Sequence, residues 1–535
     1  MREERYGREC GDVGIYLNPG SGKFDMIVSS QIYVDKSGLI AYTNKVIGTE
    51  QRYVCVSRPR RFGKSMAANM LAAYYQRGID AKDLFIDLKI AQDSTFEKYL
   101  NKYNVIFLNM QSFLSEHHDI VELKKSIEKA VLWDLLEEYP DFRYYDTSSL
   151  TRTLMDIYKN TKIPFVFIID EWDCIFRENQ KHQENQKIYL DFLRNLLKDA
   201  EYVKLTYMTG ILPIKKYGTH SALNMFSEFS MTSPRQLAEY VGFTESEVKN
   251  LCEEYGMDFE ETKRWYDGYQ FEDSVHIYSP KSVVEAMLSQ KFRNYWSQTE
   301  TYEALKVYIE MNFDGLKDSV TELLAGACVR VNTERFSNDM TTFVNKDDVL
   351  TLLIHLGYLA YDVNTEEVFI PNSEISREYV NAMEVSGWDT VIQAVKDSDE
   401  LLRATWQQDE AAVALGMEKA HYETSILTYN DENALAYTMS LAYYGARIYY
   451  TVVRELPAGK GFADLVFIPR KNCPDKPAMI VELKWDKSAD GAIGQIREKK
   501  YGAALKDYTG NLLLVGINYK KEDKMHECRI ERVVK

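Results

Sequence analysis

The 535-residue sequence has no apolar run of about 18 residues, the length a helix needs to cross a bilayer, so no spanning helix is expected. Its seven cysteines, at positions 10, 55, 174, 252, 328, 473 and 528, are odd in number, scattered, and never spaced C-x-x-C. That excludes a local zinc site and a disulfide framework, and it fits a reducing cytoplasm. Twelve prolines and 27 glycines are too few for a fibrous or disordered chain. The opening MREERYGREC is rich in charge and lacks the apolar centre of a signal peptide. Positive charge is also short. A net charge of −16 argues against a surface coated for nucleic acid, but the deficit is uneven. Residues 451–535 hold 17 Lys/Arg against 12 Asp/Glu, whereas the other 450 residues hold 48 against 69. An acidic body with a mildly basic tail suits a nucleic-acid-facing C-terminal domain.

What the chain does have is apolar residues in plenty, 45% with 13% aromatic, enough for several cores. One stretch organises it, YVCVSRPRRFGKS at 53–65. Residues 53–56 read as a buried strand, a basic turn follows, and MAANMLAAYY after Ser65 forms a helix by composition. Strand, turn, Gly63-Lys64-Ser65 and helix make the context of a phosphate-binding loop, with backbone N–H groups and the helix N-terminus facing phosphate oxygens. Lys64 would reach the β/γ-phosphates of ATP and Ser65 would ligate Mg²⁺. The pattern G-x-x-x-x-G-K-S/T is incomplete, because Arg58 stands where its first glycine belongs.

Further buried strands are expected at 105–110, 164–171 and 203–210, with helices at 119–138 (Val121, Ile127, Val131, Leu135 and Leu136 on one face) and 186–200. The alternation implies a parallel sheet covered on both faces. The strand PFVFIIDE ends in Asp170 and Glu171. Asp170 has the strand-end position of the carboxylate that holds Mg²⁺, Glu171 would orient or deprotonate an attacking water, and Thr209 would sense the γ-phosphate. Asp35 and Lys36, ahead of the first strand, suit a helix cap better than a nucleotide-base contact.

SRPRRFGKS, IIDEWD and TGILPI resemble an AAA-ATPase-like family found with a C-terminal nuclease domain in many bacteria. The likeness extends to YVDKSGLI, WYDGYQF and TLLIHLGYLAYD, and it makes Arg58 a family trait. It implies that Gly63, Lys64 and Ser65 bind phosphate, that Asp170 serves Mg²⁺, and that Glu171 is the catalytic acid. Arg60 and Arg61 would add phosphate contacts or touch the acidic body.

Residues 235–310 read as mostly helical, with a capping box at Thr244–Glu247 written T-E-S-E, and His276 stands isolated. WYDGYQF reads as core packing before a binding patch. At 347–357 an apolar helix ends in glycine, and 358–361 with 367–371 form a small hairpin, a winged-helix-like piece without a basic cluster. It therefore suits protein contact over DNA binding.

The last segment reads as helix (433–444), strands (448–456, 462–468, 478–484), helix (491–506) and a closing strand (511–517). Glu482 and Lys484 are two apart, hence on one face, and Asp464 lies on the preceding strand. If those strands pair, the two carboxylates converge to hold Mg²⁺ or Mn²⁺, which polarises a phosphodiester, with Lys484 beside the attacking water. This resembles the PD-(D/E)xK nuclease superfamily. The resemblance matches Gln495 and Tyr501 to the following helix and Glu432 to an acid completing the metal site. The usual G-R-G-R-x-D is altered to GKGFAD at 459–464, and Lys499 and Lys500 would touch phosphate or decorate the helix.

The expected class is α/β: a P-loop NTPase parallel sheet (1–234), a helical lid or linker (235–310), a winged-helix-like and helical bridge (311–428) and a restriction-endonuclease-like α/β domain (429–535). The expected function is ATP binding and hydrolysis coupled to a metal-dependent nuclease. The alternative is a nucleotide-dependent scaffold whose nuclease-like domain binds without cleaving. The expected partners are ATP and nucleic acid, DNA before RNA. No membrane partner is expected, and a homo-oligomer is left open.

Overall fold

The computed structural model describes residues 14–117, 119–178, 182–214, 223–271, 275–296, 302–311, 313–324, 326–337, 343–385, 389–423, 442–443, 445–446, 449–458, 461–470, 473, 475–498, 511–522 and 525–533. The chain divides into two compact units, one of Met1–Thr301 with Arg330–Arg377, the other of Tyr302–Val329 with Glu378–Lys535. Among the described residues no helix is long and apolar enough to cross a membrane.

The first unit is built on five parallel strands: β1 (Tyr53–Ser57), β2 (Asn104–Asn109), β3 (Phe165–Asp170), β4 (Val203–Gly210) and β5 (Ser227–Phe229), in the order β2-β3-β4-β1-β5. Every residue of β1 and β3 is buried, as a sheet covered on both faces requires. The helix Lys64–Tyr75 packs across β2, β3 and β4 and buries Ala67, Ala68, Leu71 and Ala72; its small residues let it lie close to the sheet. The helix Ile120–Glu138 buries Ile120, Leu123, Ile127, Val131 and Leu135, but Val121, expected on that face, is exposed. Asp35 accepts from the amides of Ser37 and Lys89 just ahead of the helix Gly38–Val46, whose first turn receives no side-chain capping bond.

Beyond β5 the expected helices are present at Glu245–Tyr255, Phe259–Tyr266 and Pro280–Ser289, together with a small sheet that was not expected. An antiparallel sheet of order β6-β8-β7 is formed by β6 (Phe243–Thr244), β7 (Tyr269–Phe271) and β8 (Val275–Tyr278). The alternating aromatic and polar residues of YQF and VHIY carry that signal. The predicted capping box is present at Thr244 and Glu247. After β9 (Val329–Arg330), the helix Lys346–Leu356 ends at Gly357 in the left-handed region (φ 88°), where glycine carries no Cβ penalty. The hairpin β10 (Ala360–Asp362) and β11 (Glu367–Phe369) follows, as the winged-helix-like reading expects.

The second unit holds a mixed five-stranded sheet: β12 (Tyr450–Ala458), β13 (Gly461–Pro469), β14 (Ala478–Trp485), β15 (Leu512–Lys520) and β16 (Met525–Val533), in sequence order. All neighbours are antiparallel except β14 and β15. That parallel pair needs a crossover, which includes the helix Ala489–Glu498. The edge strand β16 was not expected; its residues are mostly half-exposed and polar, so its apolar signal is weak. One face of the sheet packs Met479, Val481 and Leu483 with Leu401, Leu402, Val413 and Met417 of the helices Asp389–Trp406 and Glu410–Glu423. The other packs Val466, Ile480, Leu512 and Leu514 against Ile493 and Ile496. Glu432, Tyr501, Lys499, Lys500 and the helix expected at 433–444 fall on residues outside those described, apart from 442 and 443.

Candidate functional site

The first candidate site lies at the C-terminal ends of β1, β3 and β4. Gly63 caps the helix Lys64–Tyr75 in the left-handed region (φ 90°), turning the chain so that the helix starts directly after the loop. The Lys64 ammonium is buried and donates to Pro59 O at 2.9 Å. Burial lowers its pKa, and Glu171, Asp173 and Asp170 oppose that shift. Ser65 is exposed in the first helical turn. Asp170 ends β3, pairs in register with Asn109, and accepts from the Thr209 hydroxyl. Glu171 follows with φ 55°, an unusual conformation for a residue with a Cβ, and burial raises its pKa while Lys64 and Arg177 oppose the rise. The sheet thus gathers Lys64, Ser65, Asp170, Glu171 and Thr209.

Two cavities open on this edge. The larger, about 610 Å³, runs from Gly63, Lys64 and Ser65 to an apolar wall that includes Ile27, Ile32, Phe243 and Val284. The second, about 410 Å³, is lined by Ser65, Asn109, Glu171 and Arg177 among others. Arg60 borders both. The phosphate-loop residues and the apolar wall that line the larger one suit the phosphates and base of a nucleotide.

Of the loop arginines, Arg60 and Arg61 line the larger cavity together with Phe62, whereas Arg58 does not. Arg58 is fully buried; its guanidinium donates to the carbonyls of Ser57 and Phe229 at 2.9 and 3.0 Å and lies 5.1 Å from the Phe271 ring centroid. Burial pushes its pKa down to about 10. Arg61, expected to contact phosphate or the acidic body, lines the larger cavity and donates from Nη1 to Tyr295 O at 2.6 Å. The Tyr295 and Trp296 amides in turn donate to the buried carboxyl of Glu374, whose pKa burial pushes up to about 7. Phe62 meets Tyr269 edge-on, and Tyr269 donates to Gly357 O. The run RPRRF is therefore tied in part to the 229–374 region, while Arg60 borders both cavities and Arg61 the larger one.

Sequence reasoning missed Asp173 and Arg177. Their spacing of four on one helical turn was the available signal, and they do form an ion pair at 3.3 Å. Arg177 also pairs with Glu171. His276 is not isolated. Glu245, Asp267 and His276 bring ligand-type atoms within 4.8 Å of one another. Lys263 pairs with Glu245 at 2.7 Å, and His276 Nδ1 lies 2.9 Å from Asp267 Oδ2, so each group of the cluster already has a polar partner.

The second candidate site lies on β13 and β14. Their ladder pairs Leu465 with Val481, and one residue further on Asp464 accepts from the Leu483 amide at 2.7 Å. Glu482, only 1% exposed, accepts from Lys484 Nζ at 2.9 Å and from Gln495 on the helix Ala489–Glu498. Lys484 also donates to Leu483 O at 2.9 Å. Gly516, opposite Glu482 on β15, lets that helix approach: a Cβ there would lie 2.5 Å from Ala489 O. Asp464, Glu482, Lys484 and Gln495 are thus brought together. An all-oxygen pair of carboxylates beside an ammonium fits a hard divalent cation.

Comparison with known proteins agrees with this division. Residues 20–219 match the family model described as "Predicted AAA-ATPase", and residues 431–528 match that of the PD-(D/E)XK nuclease superfamily. The "Uncharacterized protein in vnfD 5'region" of Azotobacter chroococcum mcd 1 is 25% identical over 277 residues, 50% of this chain and 51% of its own. The chain thus spans about half the length of that curated relative. Among solved structures, the Walker-type ATPase paby2304 of Pyrococcus abyssi is similar at 13% identity and a TM-score of 0.32, covering 64% of this chain and 94% of its own. The ORC2 protein of Aeropyrum pernix, solved as ADPNP-ADP complexes, is similar at 12% identity and a TM-score of 0.32, covering 69% and 97%.

Proposed function

From a chain that joins an AAA-ATPase-like domain to a PD-(D/E)XK nuclease superfamily domain, we propose an ATP-binding and ATP-hydrolysing protein whose nucleotide state governs metal-dependent cleavage of nucleic-acid phosphodiesters. The observation that carries this reading is convergence in both units: Lys64, Ser65, Asp170 and Glu171 meet at one sheet edge, and Asp464, Glu482, Lys484 and Gln495 meet on one sheet face.

In the first unit, Lys64 exchanges the Pro59 carbonyl for β/γ-phosphate oxygens of ATP. Ser65 and Asp170 would hold Mg²⁺, which neutralises phosphate charge when bound. Thr209 keeps Asp170 oriented, and Glu171 orients the attacking water and accepts its proton. In the second unit, Asp464 and Glu482 would hold Mg²⁺ or Mn²⁺, which lowers the pKa of a bound water and polarises the phosphodiester. Lys484 orients that water and stabilises developing negative charge, while Gln495 fixes the Glu482 carboxylate. The reading places the protein in the cytoplasm, where ATP and nucleic acid meet. It keeps the domain limits at 1–234, 235–310, 311–428 and 429–535.

The test is purified protein with DNA or RNA and Mg²⁺ or Mn²⁺, with and without ATP. Cleavage that disappears in Asp464→Ala and Lys484→Ala is expected, with DNA cut faster than RNA. Cleavage that survives both substitutions, or none on any substrate, sinks the nuclease half and leaves a nucleotide-dependent scaffold.

A further inference from the structure

Glu171 needs a defined side-chain orientation to serve the attacking water, and nothing in its own strand supplies one. It sits one residue past β3 with φ 55°, and three rotatable bonds separate its carboxylate from that backbone. We infer that Arg177 is the positioning residue that holds the Glu171 carboxylate for hydrolysis; this rests on the ATPase reading above.

The geometry forms a chain of contacts running into the fold. The amides of Ile211 and Leu212, just past the end of β4, donate to Asp173 Oδ2 at 3.0 and 2.8 Å. Asp173 is completely buried, and the same oxygen lies 3.3 Å from Arg177 Nε. Arg177, with 8% of its side chain exposed, turns its Nη2 to Glu171. The helix Cys174–Glu178 sets Arg177 one turn after Asp173, so both carboxylates meet the same guanidinium. Backbone amides thus fix Asp173, Asp173 fixes the fork, and the fork fixes Glu171.

Arginine suits this post for a physical reason. Its planar fork presents donors in a rigid arrangement that spans two carboxylates, whereas a lysine ammonium is a single point on a flexible stem. Arg177 borders the second cavity together with Ser65 and Glu171, so the contact lies where the reaction would occur. Displacements of about 1 Å in such supporting contacts cost up to about a hundredfold in rate.

The experiment compares wild type, Arg177→Lys, Arg177→Ala, Glu171→Gln and the double variant Glu171→Gln/Arg177→Lys. It measures Mg²⁺–ATP affinity by calorimetry, turnover by phosphate release, and melting temperature. Arg177→Lys keeps the charge and guards against an Arg177→Ala chain that does not fold. Arg177→Lys is expected to bind ATP within about threefold of wild type and to lose about ten- to hundredfold in kcat. In the Glu171→Gln background the same change is expected to cost less than about twofold, since the group being positioned is gone. Undiminished kcat in Arg177→Lys overturns the assignment. So does an equal loss in both backgrounds, which marks a purely structural ion pair, or a parallel loss of affinity, which marks a direct phosphate contact. A wild-type chain that binds ATP but never turns it over sinks the hydrolysis reading itself, and the role of Arg177 with it.

Discussion

Arg58 occupies the point where a phosphate loop ordinarily turns on glycine, and it solves the turn by anchorage. Its guanidinium is spent on the carbonyls of Ser57 and Phe229 and on the face of Phe271, all behind the loop. Restoring the fuller glycine pattern should therefore harm the protein. Arg58→Gly is expected to lower unfolding stability by about 2–4 kcal/mol, since buried acceptors lose a charged donor and a cavity opens. Denaturant unfolding of the two proteins measures it. At Lys64 the expectation concerns binding: Lys64→Ala removes the buried ammonium, and loss of nucleotide binding in calorimetry is expected, whereas Glu171→Gln keeps binding and slows turnover. Wild-type affinity in Lys64→Ala would remove the loop assignment. Glu374 supplies a pH dependence. Burial raises its carboxyl to about 7 from an ordinary 4.5, so the folded state holds a proton the unfolded state has released between those values. Stability from this group is full below about pH 4.5 and falls as pH rises through 7, by about 3 kcal/mol in all. Glu374→Gln should flatten that fall, read as the difference between wild-type and variant stability at pH 5 and pH 8.

Among the elements, the long buried strands and the helices beside them were readable because their apolar runs are continuous or periodic. The short or edge strands were not. β5 has three residues and β16 alternates weakly, so neither has enough apolar contrast to stand out from a loop. The second site depends on such an arrangement of elements. Glu482 and Lys484 share a face by strand period, which the sequence states directly. Gln495 reaches Glu482 because Gly516 leaves room for the helix above it. Gly516→Val is expected to force that helix outward, to cost about 1–3 kcal/mol, and to slow cleavage through misplacement of Gln495. Thermal melting together with a cleavage assay separates this from a change that leaves the site intact.

At the scale of the whole molecule, the two compact units fit a division of labour in which the proposed control runs from the first to the second. Asp464→Ala is expected to abolish cleavage while ATP turnover stays within about twofold, since the substitution lies in the other unit. Lys64→Ala is expected to remove the dependence of cleavage on ATP. Cleavage that responds to ATP as before in that variant would break the proposed coupling.

The sequence by itself determined the local chemistry. Gly63-Lys64-Ser65 opens a helix, Asp170 and Glu171 end a buried strand, and Glu482 and Lys484 share a strand face. Each follows from bonded neighbours and a fixed period. Tertiary structure alone decided where the remaining side chains go: Arg58 to Phe229, Arg61 to Tyr295, Gln495 to Glu482, and Leu483 to Asp464. Those partners lie 13 to 234 residues away in sequence, and nothing local encodes which of several available acceptors will be buried beside a given donor. The choice is made when packing excludes water, because a charged group left inside must then take a nearby acceptor. Through that choice Arg58 became a structural anchor while Arg60, Arg61, Lys64 and Ser65 remained at the cavity.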